Sequence, residues 1–372
     1  MQVKGSKEVK ASVIDSGLCT GCGACVSLCP YFVSHRGRTV MLFSCSRDQG
    51  RCHAHCPRSE VNLDKLSSKF FGETYTGSPF GSYLEIQATG AGEKADLKNF
   101  QTAGTVSALI KFALAKGYID SAVLTGNDSG YGVPLIVEKP ADVEKTAGSK
   151  YSVSPTVKGV NEAINSGLKK IGAVGTPCQV TAIAKMRFNP IEDENFRDPI
   201  ALSIGLFCTW ALRASDFTAL LRSKGDPSVI KKLDIPPPPA SVMSVETGSR
   251  SYDIPLEEIR TLIPEACTYC HDMTAEFADI SVGVFEGKKR ENITIIRTDR
   301  GRKIFREAVS EGYITAREIQ DSETEPLADA ALNKKRKGLA RLADAGLINS
   351  ESGDSVIKVD NSVLEKILTG GV

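Results

Sequence analysis

The sequence contains no long hydrophobic run. Its most apolar stretch, residues 200–212, is 13 residues long and is interrupted by Ser203, Cys208 and Thr209. A helix that spans a membrane needs about 20 apolar residues, so this stretch is interpreted as a buried strand and no direct membrane insertion is expected. Residues 1–10 are polar and lack the apolar segment of a secretory signal, so we expect a cytoplasmic protein.

An excess of one charge is also absent. The 46 lysine and arginine residues are balanced by 45 aspartate and glutamate residues, which leaves a formal net charge of +1. This balance does not suggest a protein that binds nucleic acid or anionic membranes through a charged surface. No G-x-G-x-x-G sequence follows a predicted strand, so a Rossmann dinucleotide site is not supported either.

Cysteine, by contrast, is abundant. Eleven cysteines occur, seven of them between residues 19 and 56 and the others at Cys178, Cys208, Cys267 and Cys270. An odd number of cysteines in a chain without a visible secretory signal argues against a disulfide framework and for metal ligation.

The N-terminal cysteines contain the strongest motif. Cys19, Cys22, Cys25 and Cys29-Pro30 follow the spacing C-x2-C-x2-C-x3-C-P of bacterial ferredoxins, in which thiolates bind a [4Fe-4S] cluster. A zinc knuckle or purely structural cysteines fit this complete pattern less well. The motif predicts a protein that moves single electrons.

A second, shorter run follows the first. In two-cluster ferredoxins the fourth cysteine of each run binds the other cluster. The chain then offers two ligand sets, namely Cys19, Cys22, Cys25 and Cys56 for one cluster and Cys29, Cys45 and Cys52 for the other. The second set lacks one thiolate, and Asp48, His53 and His55 are near the missing position. This site is a four-iron cluster with a non-cysteine ligand, a three-iron cluster, or absent; two N-terminal clusters are the favoured interpretation.

The remaining four cysteines suit one further all-thiolate site. Cys178 and Cys208 follow predicted strands, where α/β sheets build their sites, and Cys267 and Cys270 form a C-x2-C pair. A [4Fe-4S] cluster is the first interpretation. A zinc site and a nucleophilic Cys178 are the alternatives.

Beyond the N-terminal segment, predicted strands alternate with predicted helices. Strands are expected near residues 83–88, 122–125, 133–138, 171–174, 200–207, 278–284 and 293–297, and helices near 102–116, 157–169, 177–187, 213–223 and 301–311. This alternation predicts an α/β fold.

Four units are expected along the chain. They are a small ferredoxin-like iron–sulfur domain at residues 1–65, a linker at 66–82, an α/β flavin domain at 83–320 and a charged helical extension at 321–372. Within them, the basic stretch 333–341 is interpreted as a solvated helix face, and the prolines 236–239 as a stiff loop between subdomains.

Two polar segments are candidates for phosphate or flavin contacts. Gly104 and Thr105 begin a predicted helix whose amides could hold a phosphate. Lys150 lies among hydroxyl groups in the loop 148–155, which suits a pyrophosphate or the electron-rich side of a flavin. An ordinary helix start and a polar surface turn are the alternative interpretations.

From about residue 83 to about residue 307 the sequence resembles the coenzyme F420 hydrogenase/dehydrogenase beta-subunit family. The resemblance rests on several motifs in the same order, namely GYID (117–120), GSKY (148–151), VGTPCQ (174–179), IGLFC (204–208), the C-x2-C pair with TAEFADISVG (274–283), and IRTDRG (296–301). The N-terminal segment is similar to that of members that carry their own clusters.

The resemblance implies one FAD and a [4Fe-4S] cluster held by Cys178, Cys208, Cys267 and Cys270, so that the chain would hold two to three clusters in all. It also implies hydride exchange between a reduced deazaflavin and the FAD, which passes single electrons to the cluster. The expected flavin contacts are Gly104, Thr105, Lys150, Tyr151, Ser154, Thr176 and Gln179.

The expected function is that of an oxidoreductase which carries electrons between reduced coenzyme F420 and the redox subunits of a multi-subunit complex. One alternative is an electron-transfer subunit linked to a formate dehydrogenase, a hydrogenase or a heterodisulfide reductase. Such a subunit would use NADH, ferredoxin or no diffusible hydride donor. A structural zinc protein is the other alternative.

Overall fold

The helices and strands are described for residues 2–237, 239–350 and 355–371 of this computed structural model. The strands are β1 (Phe32–His35), β2 (Arg38–Met41), β3 (Val61–Asn62), β4 (Glu85–Ala91), β5 (Ser121–Asp128), β6 (Tyr131–Val137), β7 (Ile171–Gly175), β8 (Ile200–Leu206), β9 (Ile230–Asp234), β10 (Val242–Thr247), β11 (Ser251–Pro255), β12 (Ile280–Val284), β13 (Asn292–Ile296), β14 (Ile314–Glu318) and β15 (Ile357–Lys358). The α-helices are α1 (Ser6–Glu8), α2 (Arg51–Ala54), α3 (Leu63–Phe71), α4 (Thr105–Ala115), α5 (Thr156–Asn165), α6 (Pro177–Phe188), α7 (Ala214–Lys224), α8 (Leu256–Arg260), α9 (Glu265–Thr268), α10 (Asp299–Ser310), α11 (Asp321–Asp344) and α12 (Asn361–Thr369). A π-helical turn, Val9–Ile14, extends α1, and 3-10 turns lie at Glu93–Ala95, Pro140–Thr146 and Pro227–Val229.

A mixed sheet of eight strands forms the centre of the fold. Its strand order is β14-β4-β13-β12-β8-β7-β5-β6, and the inner strands β5, β7, β8 and β12 run parallel. All five residues of β7 are buried, as its continuous apolar sequence requires of a strand covered on both faces. Ala173 packs into one hydrophobic core with α5 and α6, whereas its neighbour Val174 packs into another with α4 and α10. The sheet is therefore covered by helices on both sides.

The predicted α/β alternation is confirmed by this sheet and its helices. Each strand expected between residues 83 and 297 is present, and each expected helix begins within three residues of its predicted start. The proline signal at the start of α6 is also confirmed, because Pro177 occupies its first turn, where no backbone N–H is needed. No helix among the described residues is long and apolar enough to cross a membrane.

A second, three-stranded antiparallel sheet was not expected from the sequence. It has the order β11-β10-β9 and packs with α7 and α8 around Phe217, Met243 and Ile254. The four-proline segment connects β9 to β10 within this sheet, instead of joining two subdomains. Pro238 of that segment lies outside the described residues.

The N-terminal segment shares a hydrophobic core with the C-terminal extension. Strand β3 pairs in parallel with β15, so that Val61 lies opposite Ile357. The expected linker at residues 66–82 begins inside α3, because Leu63 and Leu66 lie on one helical face and are fully buried. The same core contains Leu339 of α11 and Ile367 of α12. Residues 351–354 and 372 of the extension lie outside the described residues.

The interpretation of residues 333–341 as a solvated helix face is only partly right, because Arg336 and Lys337 are exposed but other residues of the stretch are buried. These residues belong to α11, and Lys335 is fully buried. Its ammonium lies 2.9 Å from Oε1 of the buried Glu276 and donates to the carbonyl of Ser78 at 2.5 Å. A buried carboxylate and carbonyl thus replace the water that the basic pattern suggested.

Candidate metal centres

The first group of thiols consists of Cys19, Cys22, Cys25 and Cys56. They line one cavity, together with Thr39 of β2. Burial raises the pKa of the Cys25 thiol well above its ordinary value, and the neighbouring thiols of Cys56, Cys22 and Cys19 raise it further. The four sulfurs are therefore close enough to influence one another electrostatically, as the ligands of one cluster must be.

The loop that carries three of these cysteines is pressed against the α/β domain. Gly21 and Gly23 have φ angles of +65° and +84°, in the left-handed region. A β-carbon at Gly23 would lie 2.8 Å from the carbonyl oxygen of Pro155. Asn161 on α5 donates from Nδ2 to two carbonyls of the loop, at 3.1 and 2.7 Å. Both glycines are thus required by the turn and by the close approach of the two segments.

The second group consists of Cys29, Cys45 and Cys52. Burial raises the pKa of Cys52 to about 11, and the nearby Cys29 thiol contributes to the rise. Cys45 lies in the mostly exposed stretch 42–49, where its Sγ accepts the N–H of Arg47 at 3.5 Å. Two of the three thiols therefore lie close together, and the third is carried by a surface segment.

Three residues were expected near the missing fourth ligand of this group. Nδ1 of His53 accepts the N–H of Lys4 at 3.3 Å, so the lone pair of a neutral His53 is already used. Burial lowers the pKa of His53 to about 4 and that of His55 to about 3, and both imidazoles are therefore neutral at pH 7. Asp48 is exposed on the same surface stretch as Cys45. The identity of the fourth ligand stays a prediction.

The third group consists of Cys178, Cys208, Cys267 and Cys270. Cys178 is the second residue of α6, directly after β7, and Cys208 follows the end of the neighbouring strand β8. The N–H of Cys208 donates to the carbonyl of Met273 at 2.9 Å, which fixes the end of β8 to the loop that follows the C-x2-C pair. Three separate segments thus meet at the carboxyl ends of the parallel strands.

The third group is electrostatically coupled in the same way as the first. Burial raises the pKa of the Cys208 thiol, the Lys334 ammonium lowers it, and the thiols of Cys267, Cys178 and Cys270 raise it again. Burial also raises the pKa of Cys267 to about 11. Neutral thiols in such a site are poor ligands, so a cluster would have to bind together with the release of their protons.

The first and third groups adjoin each other. After burial, the thiol of Cys178 is the largest cause that raises the pKa of Cys22. Arg58, two residues after Cys56, donates to the carbonyls of Tyr269 at 3.1 Å and Ala266 at 2.8 Å, in the turn of the C-x2-C pair. The ferredoxin loop and the strand-end site are therefore held together by direct hydrogen bonds.

Orphaned polar atoms around the thiols fit bound iron–sulfur clusters. Among the described residues, His55 Nδ1, Arg58 Nε and His271 Nδ1 are buried without a hydrogen-bond partner. His55 precedes Cys56, and His271 follows Cys270. Buried polar atoms are rarely left unpaired, and the sulfur atoms of a cluster accept hydrogen bonds.

No three His, Cys, Asp or Glu side chains in the described ranges converge closely enough to hold a single metal ion. A zinc ion draws its thiolates to about 2.3 Å from one centre, whereas a cubane distributes its thiolates over four irons.

Three of the seven expected flavin contacts, Ser154, Thr176 and Gln179, lie at the start of α6. Gln179 donates from Nε2 to the carbonyl of Ser154 at 2.8 Å, and its Oε1 accepts the N–H of Thr176 at 2.8 Å. Lys150 and Tyr151 precede Ser154 in the same loop. The Lys150 ammonium donates to three carbonyls of that loop at 2.7–2.9 Å, and burial lowers its pKa to about 8. The polar side-chain atoms of Gln179 and Lys150 are thus engaged within the chain.

The other two expected contacts lie at the start of α4. Gly104 is its N-cap, has a φ of +75° and makes no side-chain cap. The hydroxyl of Thr105 is bonded to that of Thr89 at 3.0 Å. Gln101, which precedes this helix start, accepts the N–H of Ser149 at 3.1 Å. The two candidate segments are therefore neighbours, as a single flavin spanning both would require.

Two lysines of the site carry no clear signal in the sequence. Lys185 on α6 is buried, and its ammonium donates to the carbonyl of Cys56 at 2.7 Å. Lys334 on α11 donates to the carbonyl of Cys208 at 2.5 Å. For Lys185, the apolar residues Ala184 and Met186 on either side of it in the sequence were the one available hint.

Comparisons with known proteins agree with this arrangement. Residues 88–161 match the N-terminal model of the coenzyme F420 hydrogenase/dehydrogenase beta subunit, residues 168–322 match its C-terminal model, and residues 12–33 match a 4Fe-4S binding domain. These matches cover the first two groups only in part, because Cys45, Cys52 and Cys56 lie between the matched segments.

Several relatives come from methanogenic archaea. The coenzyme F420-dependent sulfite reductase of Methanocaldococcus jannaschii is 30% identical over 78% of this chain, and the chain spans 46% of the length of that protein. The coenzyme F420 hydrogenase subunit beta of Methanothermobacter thermautotrophicus is 27% identical over 72% of this chain and 98% of that subunit. A chain in the structure of the F420-reducing [NiFe] hydrogenase complex from Methanosarcina barkeri is 25% identical, with a TM-score of 0.65 over 72% of this chain and 93% of that one.

Proposed function

This chain belongs to the coenzyme F420 hydrogenase/dehydrogenase beta-subunit family, and on that premise we propose that it is an electron-transfer oxidoreductase subunit. It accepts hydride equivalents from reduced coenzyme F420 at a bound FAD and passes single electrons through [4Fe-4S] clusters to a partner protein. The complexes named for its relatives supply the class of partner, namely the other redox subunits of a multi-subunit enzyme.

The observation that carries this proposal is the proximity of two groups of four thiols, the first and the third. Cys178 of the third group lies beside Cys22 of the first. Electrons pass between centres that are close together, so adjacent groups favour a relay over two independent structural sites. A structural zinc protein has no need for such a contact.

The three groups form a path from the interior of the chain to its surface. Three of the expected flavin contacts, Ser154, Thr176 and Gln179, lie beside Cys178 at the end of β7. The first group comes next in this path. It lies near the second group, since the thiol of Cys52 is among those that raise the pKa of the Cys25 thiol. Cys45 ends the path on an exposed segment. We therefore place the flavin at the inner end and the partner protein at the outer end.

Each residue set has a defined task in this scheme. A bound flavin supplies the conversion between two-electron hydride chemistry and single electrons. The amides at the start of α4 and the loop that carries Lys150 and Ser154 would hold and orient it. The thiols of the third group, which belong to three different segments, hold the first electron acceptor next to it. The hydrophobic cores on both faces of the sheet exclude water from this edge.

Electron transfer from reduced coenzyme F420 tests the proposal directly. Full-length protein, reconstituted anaerobically with FAD, iron and sulfide, is mixed with reduced coenzyme F420 and a viologen dye. We expect dye reduction that requires both FAD and reduced coenzyme F420. NADH is the matched control donor, because it delivers the same hydride with a different recognition surface.

Two outcomes would contradict the proposal. Dye reduction with NADH but never with the reduced deazaflavin would show that the donor is wrong. Bound FAD that no diffusible hydride donor reduces would instead favour a subunit that only relays electrons within a larger complex.

A further inference from the structure

The C-terminal extension brings a positive charge to the third group of thiols. Lys334 is partly buried, and its ammonium donates to the carbonyl of Cys208 at 2.5 Å. The same ammonium lowers the pKa of the Cys208 and Cys267 thiols, which shows that its charge reaches more than the residue it contacts. Lys334 belongs to α11, which begins at Asp321. The match to the C-terminal model of the family ends at residue 322. Lys334 therefore lies outside the part of the chain that matches the family.

The position of Lys334 is fixed by close packing of α11. Gly338, one turn later, is buried against the turn of the C-x2-C pair, and a β-carbon there would lie 2.5 Å from the carbonyl oxygen of Cys270. Lys335 is held by the buried Glu276 and by the hydroxyl of Tyr75 at 2.9 Å. These contacts hold α11 closely against the turn that carries Cys270.

A carboxylate also lies near Lys334, and backbone amides hold it in place. The negative charge of Asp272 is among the causes that raise the pKa of the Lys334 ammonium. Its two oxygens accept the N–H groups of Thr274, Ala275 and Glu276 at 2.8–3.0 Å. Those amide dipoles stabilise the Asp272 carboxylate, whereas the ammonium of Lys334 lies directly on the carbonyl of the cluster-site residue Cys208.

We propose that Lys334 raises the reduction potential of the cluster held by Cys178, Cys208, Cys267 and Cys270, and thereby makes this cluster the acceptor of electrons from the flavin. This inference rests on the proposed cluster at that site. Reduction adds one electron to the cluster and breaks no bond, so the charge of the site becomes one unit more negative. A fixed cation beside the cluster favours the reduced state, since net charge and hydrogen bonding around a cluster set its potential.

A second lysine supports the same design at the neighbouring centre. Lys185 donates to the carbonyl of Cys56 at 2.7 Å, just as Lys334 donates to that of Cys208. Each complete four-thiol group therefore has one ammonium on the main-chain carbonyl of one of its ligands. We choose Lys334 for the test because Lys185 makes three hydrogen bonds in a fully buried position, and its replacement endangers the fold.

The test measures reduction potentials of the full-length protein. Wild type and variants are reconstituted anaerobically with iron and sulfide and titrated with dithionite, and the reduced clusters are followed by electron paramagnetic resonance. Cys270→Ala identifies the signal of the third group as the one that disappears. We expect Lys334→Met to lower the equilibrium constant for reduction of this cluster about tenfold. For one electron this corresponds to a fall of about 59 mV in the reduction potential. Iron content and the other signals should not change.

Two control variants separate charge from packing. Lys334→Arg keeps the positive charge, and its equilibrium constant for reduction of the cluster should stay within about threefold of the wild-type value. Lys337→Met removes an exposed charge of the same helix and should leave the potential unchanged, because solvent screens it. If Lys334→Met loses the iron of the site, Lys334→Gln, which can still donate to the Cys208 carbonyl, carries the same expectation.

The outcomes distinguish this inference from the proposed function. An unchanged potential in Lys334→Met or Lys334→Gln with full iron content would overturn the inference alone. A wild-type protein without any cluster at the third group would overturn both. An equal fall in the arginine variant would also overturn the inference, because the effect would then follow from shape and not from charge.

Discussion

Loss of one ligand in the third group should separate flavin reduction from cluster reduction. The perturbation is Cys270→Ala, which removes one of four thiolates that three separate segments bring together. The eleven cysteines form groups of four, three and four, which predicts about eight to twelve irons per chain. The variant should lose about four of them, the content of one cubane. The first group should keep its iron, because its four ligands all lie within residues 19–56.

Stopped-flow spectroscopy of this variant tests the order of the relay. Bleaching of the flavin by reduced coenzyme F420 should proceed at the wild-type rate, because hydride transfer to the flavin needs no cluster. Reduction of the N-terminal clusters should stop, since the proposed relay connects them to the flavin through Cys178, whose thiol raises the pKa of Cys22. Cys45→Ser is the matched control and should affect only the second group.

Two results would refute this reasoning. Cys270→Ala with full iron content and normal transfer from flavin to clusters would show that the four cysteines do not form one centre. Stoichiometric zinc in the third group of the wild-type protein would show that the centre carries no electrons.

Three further predictions concern the C-terminal extension and the second group. Truncation after residue 320 should lower the iron content of the N-terminal clusters as well as of the third group, because α11, β15 and α12 complete the core beneath the ferredoxin segment. Iron analysis and electron paramagnetic resonance measure this loss, and an unchanged iron content would contradict the prediction. Lys335→Met should destabilise α11 by about 3 kcal/mol, which is the lower end of the range for a broken buried ion pair. The lower end is expected because burial already raises the pKa of the Glu276 carboxyl. Amide hydrogen exchange in α11 should show this loss, whereas the control Lys337→Met should change the stability of α11 by less than about 0.5 kcal/mol. An iron chelator should remove the iron of the second group first, because Cys45 lies on an exposed segment; simultaneous loss from all centres would refute that order.

The parts of the fold that could be predicted are those where one local pattern decides the structure. The strands β7 and β8 are nearly continuous apolar runs, and Pro177 marks the start of α6 within one residue. The pairing of β3 with β15 could not be predicted, because each strand has two residues and nearly three hundred residues separate them. The three-stranded sheet was also missed, since its strands are only five or six residues long and two of them lack a regular alternation of polar and apolar residues.

The ferredoxin motif could be predicted because its spacing is itself the signal, and residues 12–33 match a 4Fe-4S binding domain. Three closely spaced cysteines can wrap one cluster with little help from the remaining chain, so the set of Cys19, Cys22 and Cys25 is already evident in the sequence. The contact between Cys22 and Cys178 could not be predicted in this way. It depends on Gly23 packing against Pro155 and on Arg58 reaching the C-x2-C turn, and both contacts join segments far apart in sequence.

The lysines beside the clusters show why a charge pattern alone misleads. In α11 the residues 334–337 are all basic, and on a surface helix all four would be solvated. Burial of Gly338 against Cys270 turns one side of this stretch toward the thiols, so Lys334 and Lys335 find a carbonyl and a carboxylate, while the neighbouring Lys337 is exposed. The same helix therefore places one ammonium on the carbonyl of Cys208 and leaves another in solvent. It follows that the C-terminal extension, which contains no cysteine, is as much a part of the third centre as the strands that carry its ligands.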